Sequence, residues 1–146
     1  MNKRQRDNLE KLATYLEALP ADYERFNMAY FKATEGDVGG YGREEYDPSE
    51  PIPEEHACST VACAVGHGPN AGIRVYKDTS WFTYCERVFG VSEHSDEWDW
   101  LFHYNWANID NTAFGAAQRI RHFLKYGIPD DAWQQRRGEV LLCYSA

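Results

Sequence analysis

Along residues 6–19, Leu9, Leu12, Ala13, Leu16 and Leu19 recur at spacings of three and four, with Glu10, Lys11 and Glu17 off that stripe. This is the 3.6-residue period of a surface helix, and Pro20 predicts its end. Asp22 predicts a cap for a short turn from Tyr23 to Phe26, and the greasy stretch 26–31 reads equally as a short helix or an extended strap. Residues 58–68 are small and apolar, with Ser59 or Thr60 as N-cap and Gly66 or Gly68 as C-cap, and predict a short buried helix. Residues 81–89 predict another, capped by Thr79 or Ser80 and closed by Gly90, with Trp81, Tyr84, Cys85 and Val88 on one face.

Further on, two periods compete. Trp98, Trp100, Phe102, Tyr104 and Trp106 alternate as a half-buried strand would, but Ser95-Asp96-Glu97 supplies a helix cap and first-turn acids. That start signal decides for a helix. Thr112 caps the next element, whose core stripe is Ala113, Ala116, Ala117, Ile120, Phe123 and Leu124. Gly127-Ile128-Pro129 predicts a left-handed cap and a stop. Asp130 opens a last short helix through Trp133 toward Arg137, and the apolar tail 140–144 reads as a strap or a lone strand. The expectation is a mainly α fold: one domain over 1–146, five or six short helices, and room for one minor strand pair.

One stretch breaks the pattern. Residues 33–57 hold four glycines, three prolines and little aliphatic residue, and read as an inserted loop of about 25 residues, far beyond the usual connection. Glu35, Asp37, Glu44, Glu45, Asp47, Glu50, Glu54 and Glu55 face a single base, Arg43, so the segment carries −7 of the chain's formal −8. The rest is almost neutral. Its bases Arg119, Arg121, Lys125, Arg136 and Arg137 leave room for a local basic face, although the whole chain is too acidic for nucleic acid to be the default partner.

At 146 residues the chain can bury roughly 70% of its unfolded surface in one core, and its 43% apolar and 26% charged residues exclude low-complexity and collagen-like classes. No apolar run approaches the roughly 20 residues of a membrane helix, and residues 1–7 lead into an amphipathic pattern rather than a signal-peptide core. The expected location is cytoplasmic, with Cys58, Cys63, Cys85 and Cys143 reduced.

The candidate chemistry is sparse. Cys58, Cys63 and His67, with His56 upstream, form the nearest thing to a ligand set, and Cys63 and His67 are four apart on one face of the expected helix. The spacing Cys-x4-Cys-x3-His matches no standard zinc knuckle, and small cysteines on an Ala/Val segment suit core packing, so no metal and no cofactor are assigned. A Cys63 nucleophile with a histidine base lacks any orienting third group or oxyanion hole, and no catalytic residue is assigned. The glycines of 66–72 follow a helical segment instead of opening one, so they read as a stop and turn rather than a phosphate cradle. The rings of 98–106 read mostly as core, with Trp100 or Trp106 the candidates for an exposed contact surface.

The residues Cys58-Ser-Thr-Val-Ala-Cys63-Ala-Val-Gly66, then Trp98-Asp-Trp-Leu-Phe102, then Asn111-Thr112 ahead of Gly115-Ala-Ala-Gln-Arg119-Ile120, resemble a group of small bacteriophage and bacterial proteins. That group shares a Cys-[Gly/Ser]-Thr-x-x-Cys-x-x-Gly segment and a later Thr-x-x-x-Ala-x-Arg-Ile helix, together spanning about half of this chain. It has no assigned activity, so the resemblance implies a phage or mobile-element context and nothing about the acidic segment.

Charge map and context together lead to the expectation of a non-enzymatic protein that engages a basic host protein surface. Its contact residues are Tyr41, Glu44, Glu45, Tyr46, Asp47, Glu50, Glu54 and Glu55. In its sharper form this is inhibition of a host nucleic-acid-handling defence system, with carboxylates taking the place of phosphates and with no membrane and no direct nucleic acid partner. A small metal- or thiol-dependent enzyme centred on Cys58, Cys63 and His67, and a virion structural component, are the alternatives.

Overall fold

The computed structural model describes residues 1–20, 23, 26–29, 32–34, 60–75 and 80–136, with the backbone alone at 32–34, 60, 61, 135 and 136. These residues form a mainly helical domain: α1 (Lys3–Glu17), β1 (Lys32–Thr34), β2 (Thr60–Ala62), α2 (Trp81–Phe89), α3 (Asp96–Leu101), α4 (Ala113–Tyr126) and α5 (Ala132–Arg136). Short 3-10 turns lie at Val65–His67, Pro69–Ala71 and Tyr104–Asn108.

Helix α1 buries Leu9, Leu12, Ala13 and Leu16 as its period predicts, but starts three residues earlier, at Lys3. The extension comes from a capping box: the Asn2 side chain accepts from the Gln5 N–H at 2.9 Å, and Gln5 Oε1 accepts from the Asn2 N–H at 2.8 Å. Helix α2 has its expected bounds. Ser80 Oγ accepts from the Thr83 N–H, Gly90 closes the helix at φ +69°, and Trp81, Tyr84, Cys85, Val88 and Phe89 are buried. The buried stripes of α1, α2 and α4 meet in one core, with α1 lying along both α2 and α4.

The segment 58–68 departs from its expected helix. Residues Thr60–Ala62 are strand, and Val65–His67 and Pro69–Ala71 are tight 3-10 turns. Small apolar residues suit a buried strand as well as a buried helix, and here β1 supplies a hydrogen-bonding partner while Pro69 bars continuation of any helix. The pairing is antiparallel with Lys32 opposite Ala62, Ala33 opposite Val61 and Thr34 opposite Thr60. On the other side of Ala62, Phe26 forms a parallel bridge and the Asn27 N–H donates to the Ala62 carbonyl at 3.0 Å. Phe26 and Asn27 therefore act as a strap; the Tyr23 N–H donates to the Pro20 carbonyl at 3.0 Å, while Asp22 and residues 24 and 25 of the expected turn lie outside the described residues.

Helix α3 confirms the cap signal over the alternation. Ser95 Oγ accepts from the Trp98 N–H at 3.1 Å, and the helix ends at Leu101, before the 3-10 turn that carries Tyr104 and Trp106. Thr112 caps α4 through the Gly115 N–H at 2.9 Å. Gly127 ends it at φ +79° but ψ −158°, an extended glycine conformation in place of the expected left-handed cap. Helix α5 lies within the last helix expected, and the tail 140–144 falls outside the described residues.

Candidate functional site

The expected contact residues Tyr41, Glu44, Glu45, Tyr46, Asp47, Glu50, Glu54 and Glu55 lie outside the described residues, as do Cys58, Cys143 and His56. The root of the acidic segment is described. Its first two residues, Ala33 and Thr34, belong to β1, and Thr34 stands opposite Thr60 in the register. The last described residue before the acidic stretch and the first after it therefore stand side by side. That place is tied to α4 through the strap: the Asn111 carboxamide oxygen accepts from the Met28 N–H at 2.7 Å, and its NH2 group donates to Asn27 Oδ1 at 3.4 Å.

Beside this root an apolar cavity of about 280 Å³ is lined by Met28, Cys63, Phe82, Trp98, Phe102 and Tyr104, among others. Tyr104 is 65% exposed, with its ring 4.4 Å from that of His103. Trp100 and Trp106, the two candidates for an exposed ring, are both buried. Their indole N–H groups are satisfied internally, Trp100 by the Arg119 carbonyl at 3.1 Å and Trp106 by the Asp99 carbonyl at 3.2 Å, which lets both rings enter the core.

Under the strand pair, Cys63 and His67 share one turn, the His67 N–H donating to the Cys63 carbonyl at 3.1 Å. His67 is 1% exposed among the rings of Phe26, Tyr23 and Tyr15, whose centroids lie 5.8, 5.7 and 6.2 Å away. Cys63 and Cys85 are both buried. Burial, then the neighbouring Cys63 and Glu86, push the Cys85 thiol well above its ordinary range, which keeps it protonated and a poor nucleophile. Among the described residues no group of three or more His, Cys, Asp or Glu side chains is placed to hold a metal ion.

The segment 110–120 builds a polar core. Arg119 is fully buried, its guanidinium carbon 4.1 Å from the Trp106 ring centroid and its Nη1 3.6 Å from Asp110 Oδ2. The other Asp110 oxygen accepts from the Thr112 hydroxyl at 2.7 Å. A side chain at Gly115 would collide with the Asp110 carboxylate, so glycine is what lets that carboxylate reach Arg119. The sequence pattern from Asn111 to Ile120 thus has a packing explanation: a strap anchor, a cap, a gap and a buried cation.

Among the described residues, the bases of the expected basic face are drawn into other contacts. Arg119 is buried, Arg121 is held by both Glu17 oxygens at 3.0 and 3.2 Å and by Thr14 Oγ1 at 2.9 Å, and Lys125 lies over the Tyr126 ring. The Arg136 side chain and Arg137 lie outside the described residues. Exposed cations without such partners sit on the α1–α2 side instead, at Arg4, Arg74 and Arg87, positions too scattered in sequence to suggest a cluster.

Comparison of the chain with known protein families, with curated proteins and with solved structures found no match. Among the described residues no helix is long and apolar enough to cross a membrane.

Proposed function

We propose that this chain is a non-enzymatic binding protein, an accessory protein of a phage or mobile element. It engages a basic surface of a host nucleic-acid-handling protein and inhibits it in the host cytoplasm. The observation that carries this reading is the concentration of −7 in residues 33–57, a segment that begins in β1, where Thr34 stands opposite Thr60, in an otherwise nearly neutral chain. Carboxylates at that density attract a basic surface, speed encounter and compete with phosphates for it. The exposed Tyr104 and the apolar cavity beside the root offer the uncharged contact that a salt-resistant complex needs.

The test is capture of host proteins with the full chain, followed by binding of the captured partner to a variant. That variant carries Glu44, Glu45, Glu50, Glu54 and Glu55 as Gln and Asp47 as Asn. A loss of affinity of tenfold or more, with a shallower salt dependence, is expected; unchanged binding refutes the electrostatic mechanism. Elemental analysis of the purified protein separates the enzyme alternative, since stoichiometric zinc would favour a site at Cys58, Cys63 and His67 over this reading.

A further inference from the structure

A broad groove of about 1020 Å³ runs between the start of α1 and the end of α2, with residues 72–75 along its other side. Its floor is stitched by amides: Asn8 Nδ2 donates to the Val88 carbonyl at 2.8 Å, and Gln5 Nε2 reaches the Glu86 and Arg87 carbonyls at 3.4 and 3.5 Å. Its rim carries Arg4, Arg74 and Arg87, all exposed. Lys11 reaches over Gly72, whose left-handed φ of +84° keeps that edge open. Among the described residues none of these four cations has an ion pair or a side-chain hydrogen bond, and no carboxylate lines the groove.

The placement is electrostatically unfavourable as it stands. The first turn of α1 contains Lys3, Arg4 and Arg6 and no acid, at the end of the helix where the macrodipole repels cations. Lys3 is relieved by Asp7 and Arg6 by the Leu124 carbonyl; Arg4 has no such relief. In a chain of charge −8 carboxylates are plentiful, yet among the described residues none lines this groove. A bound anion would lower the repulsion of all four cations at once.

We propose that this groove binds a compact polyanion bearing several phosphate groups. Guanidinium forks match phosphate oxygens two at a time, and the spread of Arg4, Arg74 and Arg87 around one concavity fits a ligand with charge at several points. The volume is that of a small-molecule site. A long phosphate backbone is disfavoured, because the remaining charge of the chain would repel whatever extends past the groove.

The experiment is calorimetric titration of the full chain with inorganic tripolyphosphate at 50 and 200 mM salt. Saturable one-to-one binding that weakens with salt is expected. Each of Arg4→Gln, Arg74→Gln and Arg87→Gln should weaken it by about tenfold, the scale of one lost charged hydrogen bond, and the triple variant by far more than any one of them. The three side chains are exposed and unpaired among the described residues, so circular dichroism should show the helical content unchanged. Lys125→Gln, which removes the same charge outside the groove, should leave affinity within twofold. No saturable binding, or equal weakening by Lys125→Gln, overturns the site. A twenty-nucleotide single strand binding more tightly than tripolyphosphate overturns the compact-ligand assignment in favour of nucleic acid.

Discussion

Replacing Asp110 by Ala tests whether the polar core around Arg119 is a held charge or a dispensable one. Removing one partner of a buried ion pair costs about 3–5 kcal/mol, because the other charge stays in a low dielectric. Here Asp110 is 23% exposed and the pair is 3.6 Å apart, so solvent reaches the carboxylate but not the fully buried guanidinium. We expect about 2–3 kcal/mol for Asp110→Ala, a large share of the 5–15 kcal/mol that a domain has in total. Arg119→Met should cost less, about 1 kcal/mol: the thioether keeps the stem volume over Trp106, and the carboxylate left behind retains water and the Thr112 hydroxyl. The double variant should then be no less stable than Asp110→Ala alone, a coupling of about 1–2 kcal/mol. Urea unfolding followed by tryptophan fluorescence measures all three, Trp106 lying against the guanidinium. Arg119→Met proving the more harmful single change, or the two effects simply adding, would refute the account.

Two further outcomes follow from the same core. Gly115→Ala should destabilise the parent protein, since its Cβ meets the Asp110 carboxylate, but in the Asp110→Ala background it should stabilise by about 0.5–1 kcal/mol through helix propensity; denaturation midpoints of the four proteins decide. The unfolded Cys85 thiol ionises near its ordinary value of 9.0 and the folded one well above it, so its contribution to stability is complete below about pH 9 and is lost as pH rises through that value toward the folded one. Burial pushes Tyr84 in the same direction from its ordinary 10.0, so urea midpoints should fall steadily above pH 9, and the Cys85 peptide should resist alkylation at pH 8.5 until the chain is unfolded.

What the sequence makes legible is what local chemistry decides. Helix α2 and the body of α4 could be read because cap, stripe and terminal glycine lie within one short window. The start of α1 is missed for a related reason: its box is made by Asn2 and Gln5, ahead of the first leucine of the stripe. Residues 60–62 misread as helix because their strand partner, Lys32–Thr34, lies about thirty positions away and no local period announces it. Burial of charge is equally silent. Nothing in the order of residues distinguishes Arg119, sealed against Trp106, from Arg121, held at the surface by Glu17. The acidic segment is legible as composition alone, whereas the groove of Arg4, Arg74 and Arg87 exists only once α1, α2 and residues 72–75 are brought together.

The pairing of Thr34 with Thr60 changes what selection can do with the residues between them. Closing a loop costs free energy only as the logarithm of its length, about 0.6 kcal/mol per doubling, once its ends are fixed by contacts of their own. Here the ends are fixed by the β1–β2 register and by the Phe26–Ala62 bridge. A change in the length of the intervening sequence therefore adds little closure entropy of its own. The register thus sets where both strands bordering the acidic stretch are anchored, beside the strap and on the same core that α1, α2 and α4 build.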